Sequence, residues 1–257
     1  MAKDNLLVGL DIGSTKIAAT SGQIVEGVPQ ITGFVKVPNN GVRRGAIVDI
    51  EDTVSAISEA LEHLERVAGS KINAAVVGIG GSHIATHISE GVVAVARADG
   101  EIGPSDIARV LEAARTVAMP PNREIIHVIP FSYTVDGQEG IDDPSGMTGI
   151  RLEVKALVLS AASSAIKNLT KCVYQAGLEI QNLVFAPLAT AQNLLSKKQK
   201  EIGAMLLDIG GGTTSLAVYS EGNLLHAAVI PIGSSHITND LAIGLRTSVE
   251  IAEKIKI

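Results

Sequence analysis

A chain of 257 residues with a formal net charge of −6, no tryptophan, three phenylalanines and three tyrosines has neither the basic surface nor the aromatic platforms of a nucleic-acid binder. Its single cysteine, Cys172, rules out a disulfide framework and a cysteine-built metal site and fits a reducing cytoplasm. No stretch approaches the ~20 apolar residues of a membrane span, and Asp4 and Asp11 come too early for a signal-peptide core, so a soluble chain of two domains, or one with a large insertion, is expected.

Residues 6–12 (LLVGLDI), 16–24 (KIAATSGQI) and 30–37 (QITGFVKV) read as strands broken by Gly, Ser, Pro and Asn. Residues 49–68 carry Val54, Ile57, Leu61 and Leu64 at helical spacing behind an acidic first turn. A short strand at 74–79 ends in GIGGSH, and the pattern so far is an α/β unit. The character changes between about residues 84 and 159. Strand-like GVVAVAR precedes a helix over 106–118, with Ser105 as its expected N-cap and Pro120 and Pro121 as its stop. Strand-like 124–135, a turn-rich stretch over 136–149 and a strand over 151–161 complete a small α+β module. A helix over 165–176 closed by Gly177, a strand over 179–186 and a helix from Pro187 follow. Residues 203–233 then repeat the opening: a buried strand AMLLDI, a glycine turn, and two hairpin strands.

The repeat carries the chemistry. Asp11-Ile12-Gly13-Ser14-Thr15-Lys16 matches Asp208-Ile209-Gly210-Gly211-Gly212-Thr213, with Thr214 following. Glycine lets main-chain N–H groups approach an anion closely, and the hydroxyls of Ser14, Thr15, Thr213 and Thr214 and the ammonium of Lys16 add donors for a polyphosphate. A carboxylate beside phosphate needs an intervening cation, so Asp11 and Asp208 read as holders of a hydrated Mg²⁺. One such turn alone is equally well a hairpin bend with an Asp cap; two copies nearly 200 residues apart point to two similar halves facing one another. No G-x-x-x-x-G-K-[ST] is present, and the glycines at 78, 80 and 81 lack the dinucleotide pattern, reading instead as a close-packing turn.

The order of DIGSTK, inserted module, APLATA and LLDIGGGTTSLAVY resembles the bacterial cell-division FtsA family of the actin-like superfamily. The stretches GAIVDIEDTVSAI, GIGGSHI, 110–153 and HITNDLAIGLRTSVEIAEKIKI extend that resemblance. It implies an α/β, actin-like (ribonuclease-H-like) two-lobed fold. Residues 1–83 and 160–195 would form subdomain 1A and 84–159 an inserted α+β subdomain 1C. Residues 196–257 would form a truncated second lobe, 2A and the start of 2B. It also implies ATP and Mg²⁺ as cofactors and filament formation through subdomain 1C. Partners would be the FtsZ C-terminal tail and later divisome proteins, on the inner face of the membrane at the division septum. Glu253 and Lys256 resemble the family's E-x-x-K adenosine contact, although by spacing they also suit a solvated helix face. Members of this family continue into an adenine-side Gly-Gly motif and a C-terminal amphipathic membrane helix, so a fragment without membrane anchor is expected. A pilus-assembly or chaperone-like ATPase and a sugar kinase are the alternatives within the superfamily.

Catalysis has thin support. Where some relatives carry a carboxylate before the proline of the helix facing the phosphates, this chain has Ala186, with only Thr190 and Gln192 nearby. Slow or absent hydrolysis is expected. His83 and His87 fall in turn and strand and read as structural, and His63, His127, His226 and His236 lack ligand spacing. Asp136, Glu139, Asp142 and Asp143 read as a solvated acidic loop without EF-hand spacing, and Cys172 as a small core residue.

Overall fold

The computed structural model describes residues 6–116 and 120–257. Alternating apolar residues build an antiparallel meander of β1 (Leu7–Ile12), β2 (Lys16–Val25) and β3 (Val28–Pro38). Val8, Leu10, Ile17, Ala19 and Val37 are buried on one face, as the period of two requires. A hairpin of β4 (Val42–Arg43) and β5 (Ala46–Ile47) turns at Arg44 and Gly45, with φ of 51° and 73°, the left-handed pair of a type I′ turn. Helix α1 (Ile50–Ala68) starts at Asp49, whose carboxylate accepts the Asp52 N–H at 3.0 Å, and buries Ile57, Leu61 and Leu64. It returns the chain to β6 (Ala74–Ile79), parallel to β1.

The next five elements make the inserted module: β7 (Ala85–Ala94), α2 (Pro104–Arg115), β8 (Arg123–Val135), β9 (Gln138–Ile141) and β10 (Arg151–Ala162), whose four strands form a second sheet in the order β7-β10-β8-β9. Val110 and Ala114 of α2 bury against Tyr133, Leu152, Val154 and Ala156, giving the module a core of its own. The far half of β10 (Leu157, Leu159, Ala161) belongs to the main core. Three expectations are corrected here. The N-cap is Gly103, not Ser105: Pro104 fits the first helical position, where no N–H is needed, and the buried Asp106 reaches back to the Gly103 N–H at 3.1 Å. The first strand begins at Ala85 rather than Gly91, and the turn-rich stretch contains β9. The end of the helix predicted to reach Ala118 lies outside the described residues.

Helix α3 (Ser163–Gln175), starting two residues earlier than the pattern predicts, leads to β11 (Glu179–Phe185), α4 (Ala186–Leu194) and the short α5 (Lys197–Ile202). β11 runs parallel to β6 and completes a five-stranded sheet, β11-β6-β1-β2-β3. Helices α1 and α3 cover one face of it, while Leu7, Ile31, Phe34 and Val76 stand exposed. The chain then repeats itself: β12 (Ala204–Ile209), β13 (Thr214–Ser220) and β14 (Asn223–Ile230) form a second antiparallel meander, followed by α6 (Ser234–Leu245) and α7 (Val249–Lys256). The module touches both the five-stranded sheet and the second meander. His127 Nε2 on β8 accepts the Phe185 N–H at 3.0 Å, and the Thr86 hydroxyl on β7 donates to the Ala227 carbonyl on β14 at 3.0 Å.

Candidate functional site

Each glycine turn is closed in the same way. The Gly13 N–H donates to the Lys16 carbonyl at 2.9 Å, and the Gly210 N–H to the Thr213 carbonyl at 2.8 Å. Each turn therefore is a hairpin bend, and it is their mutual placement that makes a site. Asp11, Gly13, Ser14, Thr15, Lys16, Asp208, Gly210, Gly211, Gly212 and Thr213 line one cleft of about 330 Å³. Thr214 heads β13, and its hydroxyl donates to the Ile232 carbonyl at 2.8 Å. A Cβ on Gly211 would run into Thr15, and one on Gly212 into Ser14 and the Arg44 backbone. The two turns thus pack so closely on each other that only glycine fits at Gly211 and Gly212.

Burial, and then the charge of Asp208, push the Asp11 carboxyl above the usual carboxylate range, with Lys16 opposing. Two carboxylates lining one cleft with Lys16 and the hydroxyl-bearing glycine turns suit a cation held beside an anion. That is the arrangement Mg²⁺ and a polyphosphate require. Among the described residues no cluster of three or more His, Cys, Asp or Glu side chains is suited to hold a metal by itself.

A second cavity of about 350 Å³ opens from the same place, sharing Asp11, Ala186, Thr190 and Asp208 and continuing over Gly9, Thr20, Phe34 and Val76. Ala186 and Thr190 bring α4 to the junction of the two. The Thr190 hydroxyl donates to the Ala186 carbonyl at 3.1 Å, and the Gln192 carbonyl oxygen accepts from Lys200 Nζ at 2.9 Å. Neither side chain is a base, and no carboxylate of α4 lines the cleft.

Glu253 and Lys256 do not line the cleft. Lys256 Nζ donates to Glu253 Oε2 at 2.7 Å and to the Thr238 hydroxyl at 2.9 Å, and lies 3.5 Å from the Ser234 carbonyl. These hydrogen bonds from Lys256 and Thr238 hold the Glu253 carboxyl below its usual range. The pair docks α7 on the start of α6, which itself grips the second turn: the Ser234 N–H donates to the Gly210 carbonyl at 2.8 Å and the Ser235 N–H to the Gly211 carbonyl at 2.9 Å. Sequence reasoning missed Ser234, Ser235, Asn39 and Gly45. The Gly45 N–H donates to the Ser14 hydroxyl at 3.1 Å, and Asn39 holds the first turn from behind. Their only sequence signal is turn-forming composition, which cannot say what a turn leans on.

Family comparison decides the lineage. Residues 81–160 match the model of the SHS2 domain inserted in FtsA, and residues 205–257 match that of the cell division protein FtsA. The chain belongs to the FtsA family of cell division proteins. It is 43% identical over 253 residues to the FtsA of Pseudomonas aeruginosa, covering 98% of this chain and 60% of that one. It is 41% identical to the FtsA of Bacillus subtilis, covering 100% and 58%, and 34% identical to that of Escherichia coli, covering 98% and 60%. The chain spans about three fifths of the length of these FtsA relatives. In fold it is similar to a PilM–PilN type IV pilus biogenesis complex, with a TM-score of 0.70 at 17% identity, covering 97% of this chain and 68% of that one. It is also similar to MreB5 of Spiroplasma citri bound to ADP, with a TM-score of 0.50 at 12% identity, covering 99% and 62%. The mixed α/β architecture with an inserted SHS2 domain is thus the actin-like fold expected from the sequence. No helix among the described residues is long and apolar enough to cross a membrane.

Proposed function

We propose that this chain binds ATP with Mg²⁺ and acts in cell division as an actin-like, polymerising adaptor that links FtsZ to the cytoplasmic membrane and recruits later divisome proteins. One observation carries the nucleotide reading: the two Asp–Ile–Gly turns, each closed by the same hydrogen bond, line a single cleft. Gly13–Lys16 and Gly210–Thr213 would take the phosphates with main-chain and hydroxyl donors, while Thr214, whose hydroxyl is spent on the Ile232 carbonyl, would support the second turn. Asp11 and Asp208 would hold the hydration shell of Mg²⁺, which neutralises phosphate charge when bound. The fold neighbour MreB5 is a nucleotide-bound protein, which supports the reading. Residues 1–83 with 160–195 would act as subdomain 1A, 84–159 as 1C, and 196–257 as part of the second lobe. Glu253 and Lys256 act indirectly in this reading, by steadying the start of α6. With Ala186 where a base would stand, the nucleotide serves to hold the halves together and permit assembly, with turnover slow at most.

Titrating Mg-ATP into the protein by calorimetry, with and without EDTA, tests the site. Saturable binding that weakens with EDTA and is lost in Asp11→Asn/Asp208→Asn is expected. Tight binding unaffected by either change would sink the two-turn site. The adaptor reading is checked separately, with a full-length family member carrying these residues and a peptide of the FtsZ C-terminal tail. Failure of that peptide to bind would leave only the nucleotide reading.

A further inference from the structure

Both glycine turns are held from behind by the segment that follows the third strand of their meander, but by different atoms. After β14 the grip on the glycine carbonyls is backbone, from the Ser234 and Ser235 N–H groups to the carbonyls of Gly210 and Gly211. After β3 the backbone supplies one such bond, from the Asn39 N–H to the Thr15 carbonyl at 3.1 Å. The carbonyl of Gly13, the counterpart of Gly210, is met instead by the side chain of Asn39, Nδ2 to oxygen at 2.8 Å. The other end of that amide, Oδ1, accepts the Gly41 N–H at 3.1 Å. Gly41 in turn accepts the N–H groups of Val48 and Asp49 at 2.9 and 3.1 Å, and packs so tightly on Asp49 and Thr53 that a Cβ would not fit. Asn39 is 3% exposed.

We propose that Asn39 is a positioning residue for the first phosphate turn, doing with its side-chain amide what the Ser234 backbone N–H does for the second. The proposal rests on the nucleotide reading above. The physical step is short. A trans peptide holds its C=O and the following N–H in one plane, pointing in opposite directions across the C–N bond. Fixing the Gly13 carbonyl on Asn39 therefore points the Ser14 N–H away from the brace. The Asn39 N–H does the same for the Lys16 N–H through the Thr15 carbonyl. Because Asn39 also ties Gly41 to the start of α1, the turn is referred to the helix rather than left to its own glycine.

Asn39→Asp keeps the acceptor for Gly41 and removes the donor to Gly13, and Asn39→Ser, too short to reach, is the second variant should the first fail to fold. Mg-ATP affinity is measured for both and for Leu64→Ala, a core truncation in α1 far from either turn. Affinity is expected to fall about tenfold or more in the Asn39 variants, the size of an orphaned buried carbonyl, and to stay within about twofold in Leu64→Ala despite its lower unfolding midpoint. Amide hydrogen exchange of the nucleotide-free protein gives a readout independent of ATP: faster exchange is expected over Gly13–Lys16 and unchanged exchange over Gly210–Thr213. Wild-type affinity in both Asn39 variants, or exchange accelerated equally in both turns, would overturn the positioning role. Lack of ATP binding by the wild-type chain with the exchange pattern intact would overturn the nucleotide reading and leave Asn39 as a brace for a turn of other use.

Discussion

At Asp11 two effects raise the carboxyl, partial desolvation in a cleft that still leaves the residue open to solvent and the like charge of Asp208. Without nucleotide or metal that repulsion opposes folding, so Asp208→Asn should raise the unfolding midpoint of the nucleotide-free protein at neutral pH while weakening Mg-ATP binding. A scan in EDTA, set against a binding isotherm in Mg²⁺, checks both signs, and a lowered midpoint would mean the two carboxylates do not oppose each other. His127 supplies a pH dependence. Burial lowers the pKa of this histidine, and its Nε2 accepts the Phe185 N–H, which only the neutral ring can do. With the folded value below the unfolded one, the unfolded chain takes up the proton first. Stability is therefore full above about pH 6.5 and falls as pH drops through the window down to the lowered folded value. His83, lowered by burial and then by Arg123, acts in the same direction. His127→Gln, which can keep the acceptor, should flatten part of that slope in urea midpoints taken between pH 7.5 and 5.5.

Among elements, the inserted module depends on close approach. Gly91 lies where a Cβ would strike the Val110 carbonyl and the Ala114 N–H of α2, so Gly91→Ala should lift the helix from β7 and destabilise by about 1–3 kcal/mol. Urea unfolding measures this, and no loss would mean α2 can slide. Elements with a strong period were legible before the structure. β1, β2, α1 and β6 are found where alternation or helical spacing puts them, because a buried face writes itself into the residues; β12 is found in place but is not the buried strand its apolar run predicts, since only Leu206 is buried. β9 and α5 were not legible. QEGI and KKQKEI bury almost nothing, so no period marks them. Ser105 misled because a good capping residue stood beside a better arrangement, Pro104 with Asp106. The two Asp–Ile–Gly turns could be read from residues alone because they repeat. Asn39 could not, since Asn-Asn-Gly after a strand signals a break, and only the fold reveals that one of those amides is buried on Gly13.

For the whole molecule, the two repeats and the far half of β10 share one connected core running from Leu10 through Leu157 to Ala217 and Ala227, while the rest of the module keeps its own. A ligand held between the turns therefore stabilises both halves at once. Mg-ATP at about 100 times its Kd should add roughly 2.7 kcal/mol to unfolding, read as a midpoint that climbs with nucleotide concentration. A midpoint indifferent to Mg-ATP would count against a closed cleft. The second meander has a different consequence. Among the described residues β12 pairs only with β13, and Met205, Leu207 and Ile209 are 59%, 50% and 63% exposed. A strand edge that is apolar and carries no lysine or proline is what neighbouring molecules adhere to. Asp208 and Ile209 of that same strand line the cleft, so whatever pairs with this edge will bear on the cleft as well.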